Sequence, residues 1–554
     1  MITIMISTPK KLVGLASCFI VFEKVNLDYI TAIKELPNRN YDPKSRIWEV
    51  PVDKLPYLVS KFKDSPITIY YDKFDIKQSL IPKDFKFKTK PYGYQLDGVE
   101  YGLNHESFIL ADDQGLGKTK QSLDLAVLRK QLGQVKQCLI ICGVNSLKYN
   151  WQDEVKIHTN EDAFVLGTRY RKNGNAYTGS TQDKIDDLKN HNEFFLIVNI
   201  ETLRNEDFVK ELRKKSDVIN MIIFDEFHHC LTPTSAQSRG LQKLNDFKYK
   251  VAMTGTPVMN APLDVYVALK WLGVENANFS TFKNYYCTFG GFGGHQVTGY
   301  KNLDILKQSL SSCMLRRLKE DELDLPPRIE QVEYVELSEN QRKIYNEVRQ
   351  QIRDNIDLIV NSPNPLTQLL RLRQATGDTS ILSSTIHESV KLDRLEQLVS
   401  DITSCGNKCI IFSNWTSMTT PTAERLRKYY PAIITGEVDT YERQEEVKRF
   451  QTDPKCKVLI GTIGAAGTGL TLTAASYVFF LDLPWTYANY DQACCRAYRI
   501  GTKSTVNIIS LNARNTIDDK IWKLIHTKKD MSDFIVDGKI QRLTKEVLLD
   551  LIAE

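Results

Sequence analysis

The sequence predicts an α/β chain built on two parallel sheets, preceded by a small α+β module. Three observations carry this. Short apolar runs alternate with helical stretches, and they fall into two series along the chain. The 554 residues are enough for about three or four domains. The first 85 residues or so differ from the rest in both pattern and charge.

The first series comprises Phe108–Ala111, Cys138–Cys142, Phe194–Val198, Met221–Phe224 and Val251–Met253. The second comprises Cys409–Phe412, Val458–Ile460, Tyr477–Leu481 and Val506–Ile509. Runs of this length, bounded by polar residues or glycine, read as buried parallel strands. Alternation with helices makes each series a doubly wound sheet. Residues 260–400 between them read as largely helical, interrupted by the patch Gly290-Gly291-Phe292-Gly293-Gly294. The N-terminal segment reads as strand, helix (about 26–36), turn at Tyr41-Asp42-Pro43, strand, helix (about 53–63) and strand (67–71). The expected domains are therefore 1–85, a basic α+β module; 86–330, a first lobe with a helical insertion at about 262–330; and 331–554, a second lobe. The second lobe has its own helical insertion at about 338–390 and a C-terminal helix.

Composition excludes several classes. With 42% hydrophobic and 25% charged residues, the chain is neither disordered nor fibrous. No apolar run approaches the ~20 residues of a membrane-spanning helix, and Met1 to Lys10 lacks the layout of a secretory signal. The 11 cysteines are an odd number. Cys138/Cys142 and Cys405/Cys409 read as core thiols in a reducing compartment, not as zinc or disulfide pairs. Residues 1–90 hold 16 Lys and Arg against 10 Asp and Glu, whereas the whole chain is only +5. The basic excess thus lies in the N-terminal segment, which is either a polyanion contact or a solvated lysine-rich face.

Two motifs carry chemistry. Asp112-Asp113-Gln114-Gly115-Leu116-Gly117-Lys118-Thr119 follows an apolar strand and precedes a helical stretch, the context of a phosphate-binding loop. Gly115 and Gly117 let backbone N–H groups turn toward phosphate oxygens, and the helix N-terminus adds a favourable dipole. Lys118 supplies a cation for the terminal phosphates, and the Thr119 hydroxyl suits Mg²⁺. Asp112 stands where such loops usually have their first glycine. About 105 residues later, Asn220 to Phe224 form an apolar strand ending in Asp225-Glu226-Phe227-His228. Asp225 is assigned to the metal and Glu226 to the attacking water. A zinc reading of His228 and His229 lacks ligands beyond Cys230.

These motifs, with Thr254-Gly255-Thr256-Pro257, resemble the Swi/Snf-type ATPases of helicase superfamily 2. The second half agrees: Ile411-Phe412-Ser413, Gly467-Thr468-Gly469-Leu470-Thr471, and Gln492-Ala493-Cys494-Cys495-Arg496-Ala497-Tyr498-Arg499-Ile500-Gly501 resemble that family's later motifs. Met314-Leu315-Arg316-Arg317-Leu318-Lys319 resembles the segment joining its lobes. Leu369 to Gln374 resembles its second-lobe insertion, and Ile517 to Trp522 its C-terminal brace helix. The similarity spans roughly residues 88–540. Tyr285-Tyr286-Cys287, the glycine patch, Gly299 and Asn302-Leu303 look like the fork-remodelling, annealing-helicase branch. Tyr41 to Trp48 is similar to that branch's small DNA-recognising HARP module.

The resemblance implies two RecA-like lobes that use ATP and Mg²⁺ and act on double-stranded or branched DNA. The expected activity is a DNA-dependent ATPase and duplex translocase that anneals strands or moves junctions. A strand-separating helicase, a protein-displacing or chromatin-type remodeller, and an ATP-switched DNA clamp are the alternatives. It further implies that Gln95 reads adenine with Tyr92 stacking nearby, and that Gly469 helps bind nucleotide. Arg499 and Arg496 would complete the catalytic set with Lys118 and Glu226. Ser146, Lys148, Asn199, Ser413, Asn414 and Thr468 would contact DNA phosphates without reading bases. His228, Thr254 and Thr256 would couple nucleotide state to the second lobe. The expected state is a monomer in bacterial or phage-infected cytoplasm, or in the nucleus if the source is eukaryotic. Asp113, Gln114, Gly143, Phe227, Tyr498 and Thr502 depart from the family's usual residues, and Tyr498 puts the coupling of DNA to ATP in question.

Overall fold

The computed structural model describes residues 2–7, 17–22, 26–36, 39–43, 46–51, 54–62 and 67–71 of the N-terminal segment. From residue 80 it describes all but 144–146, 172–175, 256–261, 291–295, 357–365, 439, 468–469, 503 and 534–554. The chain divides into two compact units, Met1–Phe85 and Lys86–Glu554.

The N-terminal unit is a five-stranded mixed sheet with two helices, Leu27–Lys34 and Leu55–Lys61. Its strand order is Asn40–Asp42, Ile47–Pro51, Ser17–Phe22, Ile2–Ser7, Ile67–Tyr71. Only the last pair is parallel. Two expectations need correction. The opening strand is an antiparallel pair, Ile2–Ser7 with Ser17–Phe22. Tyr41 and Asp42 lie in a strand opposite Trp48 and Ile47, and the Tyr41 and Trp48 rings sit 4.6 Å apart. An aromatic cross-strand pair of this kind stabilises a short edge strand, which the turn-like Asp-Pro composition masks.

The second unit contains two all-parallel sheets. The seven-stranded sheet runs Met314–Leu315, Ser107–Leu110, Tyr249–Met253, Ile219–Asp225, Gln137–Cys142, Phe195–Asn199, Ala163–Val165. The six-stranded sheet runs Arg328–Val335, Val506–Ala513, Tyr477–Phe480, Cys409–Ser413, Val458–Thr462, Ala432–Ile434. Every residue of Gln137–Cys142, Phe195–Asn199, Tyr249–Met253, Cys409–Ser413 and Val458–Thr462 is buried. Helices cover both faces of these strands, so they need no polar alternation. Each such Leu, Ile or Phe removed from water contributes about 1.5–3 kcal/mol.

Two expectations about boundaries also shift. Arg328–Val335 pairs with Val506–Ala513 over eight register positions, so the second lobe begins before residue 331. The stretch after residue 260 includes helices Tyr266–Leu272, Phe279–Tyr286 and Leu303–Ser311. It also includes an antiparallel hairpin, Cys287–Gly290 with Gln296–Tyr300. Gly291 to Gly294 of the glycine patch lie outside the described residues. In the second lobe, helices Glu339–Asp354 and Leu366–Gly377 pack on each other, and the latter packs on the C-terminal helix Ile517–Asp533. Cys138, Cys142 and Cys409 are buried free thiols as expected, whereas Cys405 is exposed, because it caps helix Val390–Ser404 instead of entering a strand. Among the described residues no helix is long and apolar enough to cross a membrane.

Candidate active site

The phosphate loop leaves the carboxyl end of strand Ser107–Leu110 and enters helix Lys118–Gln131. Gly115 (φ +91°) and Gly117 (φ +75°) adopt left-handed backbone, which a side chain would strain. Lys118 is buried, and its Nζ donates to the carbonyls of Asp112 (2.7 Å) and Asp113 (3.2 Å). Burial lowers its pKa, and the nearby Glu226, Asp112 and Asp225 carboxylates oppose that shift.

Asp112, in the position of the missing glycine, anchors the loop. It is fully buried. Its carboxylate accepts from Arg317 through Nε (3.0 Å) and Nη2 (2.6 Å), and from Gln121 Nε2 (3.0 Å). Arg317 also donates to the Tyr94 carbonyl and to Gln121 Oε1 (2.7 Å). The pairing follows from topology. Met314–Leu315 lies beside Ser107–Leu110, and the alignment continues with Asp113 N–H donating to the Arg317 carbonyl (3.0 Å). The segment that joins the lobes therefore runs along the phosphate loop.

Gln95 is buried, and both ends of its amide are hydrogen-bonded. Oε1 accepts from Tyr92 N–H (3.0 Å), and Nε2 donates to the Leu116 carbonyl (3.2 Å). The amide ties the start of helix Gly93–Asn104 to the phosphate loop, and it keeps one N–H and one oxygen lone pair beyond these two bonds. Tyr92 is exposed, and its ring stacks on that of Tyr94 at 5.8 Å.

Asp225 closes strand Ile219–Asp225, and Glu226 follows with left-handed backbone at φ +51°. Asp225 accepts from Trp151 Nε1 (2.9 Å) and from Glu226 N–H (2.9 Å). Burial and the adjacent Glu226 push the Asp225 carboxyl up to about 7. Glu226 is buried; Oε1 accepts from Gln492 Nε2 at 2.9 Å, and His228 Nδ1 lies 3.3 Å from Oε2. Gly143 makes room for this turn. A Cβ there would lie 2.8 Å from Glu226 Cβ and 3.0 Å from the Asp225 carbonyl. That spacing accounts for glycine at a position that departs from the family's usual residue.

The second lobe supplies the opposite wall. Gln114, Gly115, Gly117, Lys118, Thr119, Asp225 and Glu226 line one cleft together with Thr471, Cys495, Arg496 and Arg499. Arg496 donates to the carbonyls of Gln492 (3.0 Å) and Leu470 (3.2 Å). Burial and Arg499 lower its pKa to about 10. Arg499 donates to Thr471 Oγ1 (2.8 Å), and its Cβ is 3.0 Å from where a Cβ on Gly115 would stand. Two residues that depart from the family pattern have defined contacts. Thr502 Oγ1 accepts from Arg499 N–H (3.0 Å), and the Tyr498 ring lies under Lys319 Nζ at 5.0 Å.

The expected DNA contacts divide. Ser146 and Thr468 lie outside the described residues, as do Gly469 and the coupling residue Thr256. Lys148, Asn199 and Ser413 are buried. Lys148 Nζ donates to Thr178 Oγ1 (3.2 Å), Asn199 Oδ1 accepts from Lys184 Nζ (2.9 Å), and Ser413 Oγ donates to Asp482 (2.5 Å). Their side chains are buried in these internal hydrogen bonds. Asn414 is half-buried on Asp482 and Leu483. Thr254 is buried, its N–H donating to the Leu110 carbonyl (3.1 Å). Trp151, Arg317, Lys319 and Thr471 join the site without having been assigned a role there from sequence. The Lys148 ammonium is lowered to about 8 by burial and by Lys184.

Residues 94–389 match the SNF2-related domain, and residues 390–501 match the helicase conserved C-terminal domain. The putative ATP-dependent helicase/translocase YwqA of Bacillus subtilis is 27% identical over 86% of this chain and 52% of its own length. The DNA annealing helicase and endonuclease ZRANB3 of Bos taurus is 28% identical over 85% of this chain and 44% of its own. The chain thus spans about half the length of the curated relatives it matches. The solved Sulfolobus solfataricus SWI2/SNF2 ATPase core in complex with dsDNA is 24% identical, covering 85% of this chain and 98% of that one, at a TM-score of 0.38. On the domain matches, this chain belongs to the SNF2-related family, with the helicase conserved C-terminal domain matching part of its second lobe.

Proposed function

We propose that the chain is an ATP-dependent DNA translocase acting on duplex or branched DNA. One observation carries the reading. Lys118, Thr119, Asp225 and Glu226 from one sheet share a cleft with Arg496 and Arg499 from the other. Such a set is complete for phosphoryl transfer: a loop for phosphates, an acid for water, and guanidinium groups for the charge that develops. Thr119 and Asp225 are hard oxygen donors suited to Mg²⁺, which would neutralise phosphate charge. Lys118 holds the terminal phosphates, Glu226 orients the water, and Arg499 stabilises the transferring group. Because Arg499 belongs to the other lobe, turnover requires the lobes to meet. A cycle of lobe closure and release moves the chain along DNA. The name of the ZRANB3 relative supports annealing or fork remodelling as the outcome, and the basic N-terminal unit supports a junction-selecting role.

The test is ATP hydrolysis measured without DNA and with single-stranded, linear duplex and forked DNA, with Lys118→Ala as control. Stimulation by duplex or fork above single strand is expected. Stimulation mainly by single strand would replace this reading with a strand-separating helicase. Hydrolysis absent throughout would replace it with an ATP-switched clamp.

A further inference from the structure

Lys319 connects the phosphate loop to the second lobe. It ends the joining segment and opens the short helix Lys319–Glu322. Its backbone N–H donates to Asp113 Oδ2 at 3.0 Å, which fixes it to the loop. Its side chain is buried and crosses to the other lobe. There Nζ donates to the Tyr498 carbonyl at 3.1 Å, lies 3.1 Å from Cys495 Sγ, and sits over the Tyr498 ring. Its stem passes 3.6 Å from the Cβ position of Gly115.

The Tyr498 carbonyl belongs to the peptide whose N–H is that of Arg499. That N–H donates to Thr502 Oγ1 at 3.0 Å. One peptide plane is therefore held from both sides, by Lys319 across the lobe boundary and by Thr502 within the second lobe. An ammonium-to-carbonyl bond in a dry setting is stronger than its neutral counterpart. The described hydrogen bonds of the Lys319 ammonium run to this carbonyl and thiol, and its charge also acts on the buried Asp491 carboxylate, which the Cys495 thiol faces at 3.6 Å.

We propose that Lys319 is a positioning residue that seats Arg499 over the phosphate loop. Asp113, Lys319, the Tyr498–Arg499 peptide and Arg499 form one continuous chain of contacts from loop to finger. Lys319 is not among the residues lining the cleft and acts through where it holds Arg499. The proposal rests on the ATPase reading above and refines its account of Arg499.

The test uses the full chain carrying Lys319→Met, which keeps length and removes charge, and Lys319→Arg, which keeps a charged donor. DNA-stimulated kcat is expected to fall about tenfold or more in Lys319→Met, with ATP KM within about twofold, the pattern of an interaction made in the transition state. Lys319→Arg should recover part of kcat. Adding Lys319→Met to Arg499→Ala should cost nothing further. Wild-type kcat in Lys319→Met, or an equal additional loss in the Arg499→Ala background, would overturn the proposal. If the wild type hydrolyses no ATP, the ATPase reading fails and the contact is tested by distance. Spin labels carried on unnatural residues at exposed Lys214 and Lys428 report the interlobe separation. A broader distribution in Lys319→Met supports the latch, and an unchanged one overturns it.

Discussion

Gln492 Nε2 donates to Glu226 Oε1 at 2.9 Å across 266 residues of sequence, with both groups buried. The helix that carries Gln492 leads into Arg496 and Arg499. The acid proposed to orient water is thus in direct hydrogen-bond contact with the element that brings the arginines. Under the proposed function, a single carboxylate oxygen would link lobe contact to readiness for hydrolysis.

Glu226→Gln should keep ATP binding and abolish turnover. The substituted amide still offers an oxygen to Gln492 but no longer takes a proton or carries charge. A loss of about 10²–10⁴-fold in kcat is expected. Steady-state hydrolysis alongside fluorescent-nucleotide binding checks it; DNA-stimulated hydrolysis retained at the wild-type rate would remove Glu226 from that role.

Gly143→Ala should damage the site without replacing a catalytic residue. Its Cβ would press on Glu226 Cβ at 2.8 Å and on backbone at 3.0 Å. Overpacking of this kind costs about 1–3 kcal/mol. A lowered Tm and a lowered kcat are expected together. An unchanged kcat would mean that the left-handed turn at Glu226 has slack.

Arg317→Met should destabilise the first lobe strongly. It leaves the fully buried Asp112 carboxylate without its bidentate partner, a loss of about 3–5 kcal/mol. Adding Asp112→Asn should restore part of it, because the uncompensated charge is gone. Urea unfolding of the two variants measures both effects, and a double variant no more stable than the single one would contradict the charge argument.

The raised Asp225 carboxyl predicts a pH trend. A carboxyl whose folded value lies above its unfolded one binds its proton more tightly when folded. The folded chain therefore loses stability as pH rises from about 4 toward about 7, and the difference is constant above and below that window. Relative to Asp225→Asn, the wild type should lose stability across this interval. Thermal unfolding of both proteins at pH 4, 5.5, 7 and 8 without added metal gives the slope; a flat difference would show that Asp225 is ionised throughout.

Deleting residues 1–85 should leave basal ATP hydrolysis intact, since Lys86–Glu554 forms its own compact unit. Preference for forked over linear duplex should weaken. Competition binding with the two DNAs measures it, and an unchanged preference would place junction selection elsewhere.

The central strands were legible in the sequence because burial on both faces demands unbroken apolar runs. Within the two parallel sheets, the strands that sequence reading passed over, Ala163–Val165, Met314–Leu315, Arg328–Val335 and Ala432–Ile434, are the four edges. An edge strand is covered less and can carry charge, as Arg328, Glu330 and Glu333 do. The phosphate loop and the acids after Ile219–Asp225 were legible because each is a contiguous strand-to-loop signal. Arg317 with Asp112, and Lys319 with Tyr498, join positions more than 170 residues apart. No local pattern announces such pairs. Lys148 and Asn199 show the converse: their places in motifs suggested solvent-facing contacts, but motif position does not say which way a side chain turns.

The ladder between Arg328–Val335 and Val506–Ala513 has a mechanical meaning. The chain enters the second lobe at the first of these strands, and the other comes near the end of that lobe's sheet. The lobe is therefore buckled shut on itself, with entry and exit fastened side by side over eight residues. Any tension passed along the backbone from one lobe to the other arrives at Arg328. From there it spreads into a strand backed by the rest of the sheet, and Arg328 is itself pinned by ion pairs to Glu330 and Asp491. A lobe fastened this way resists fraying at the point of attachment when it is pulled.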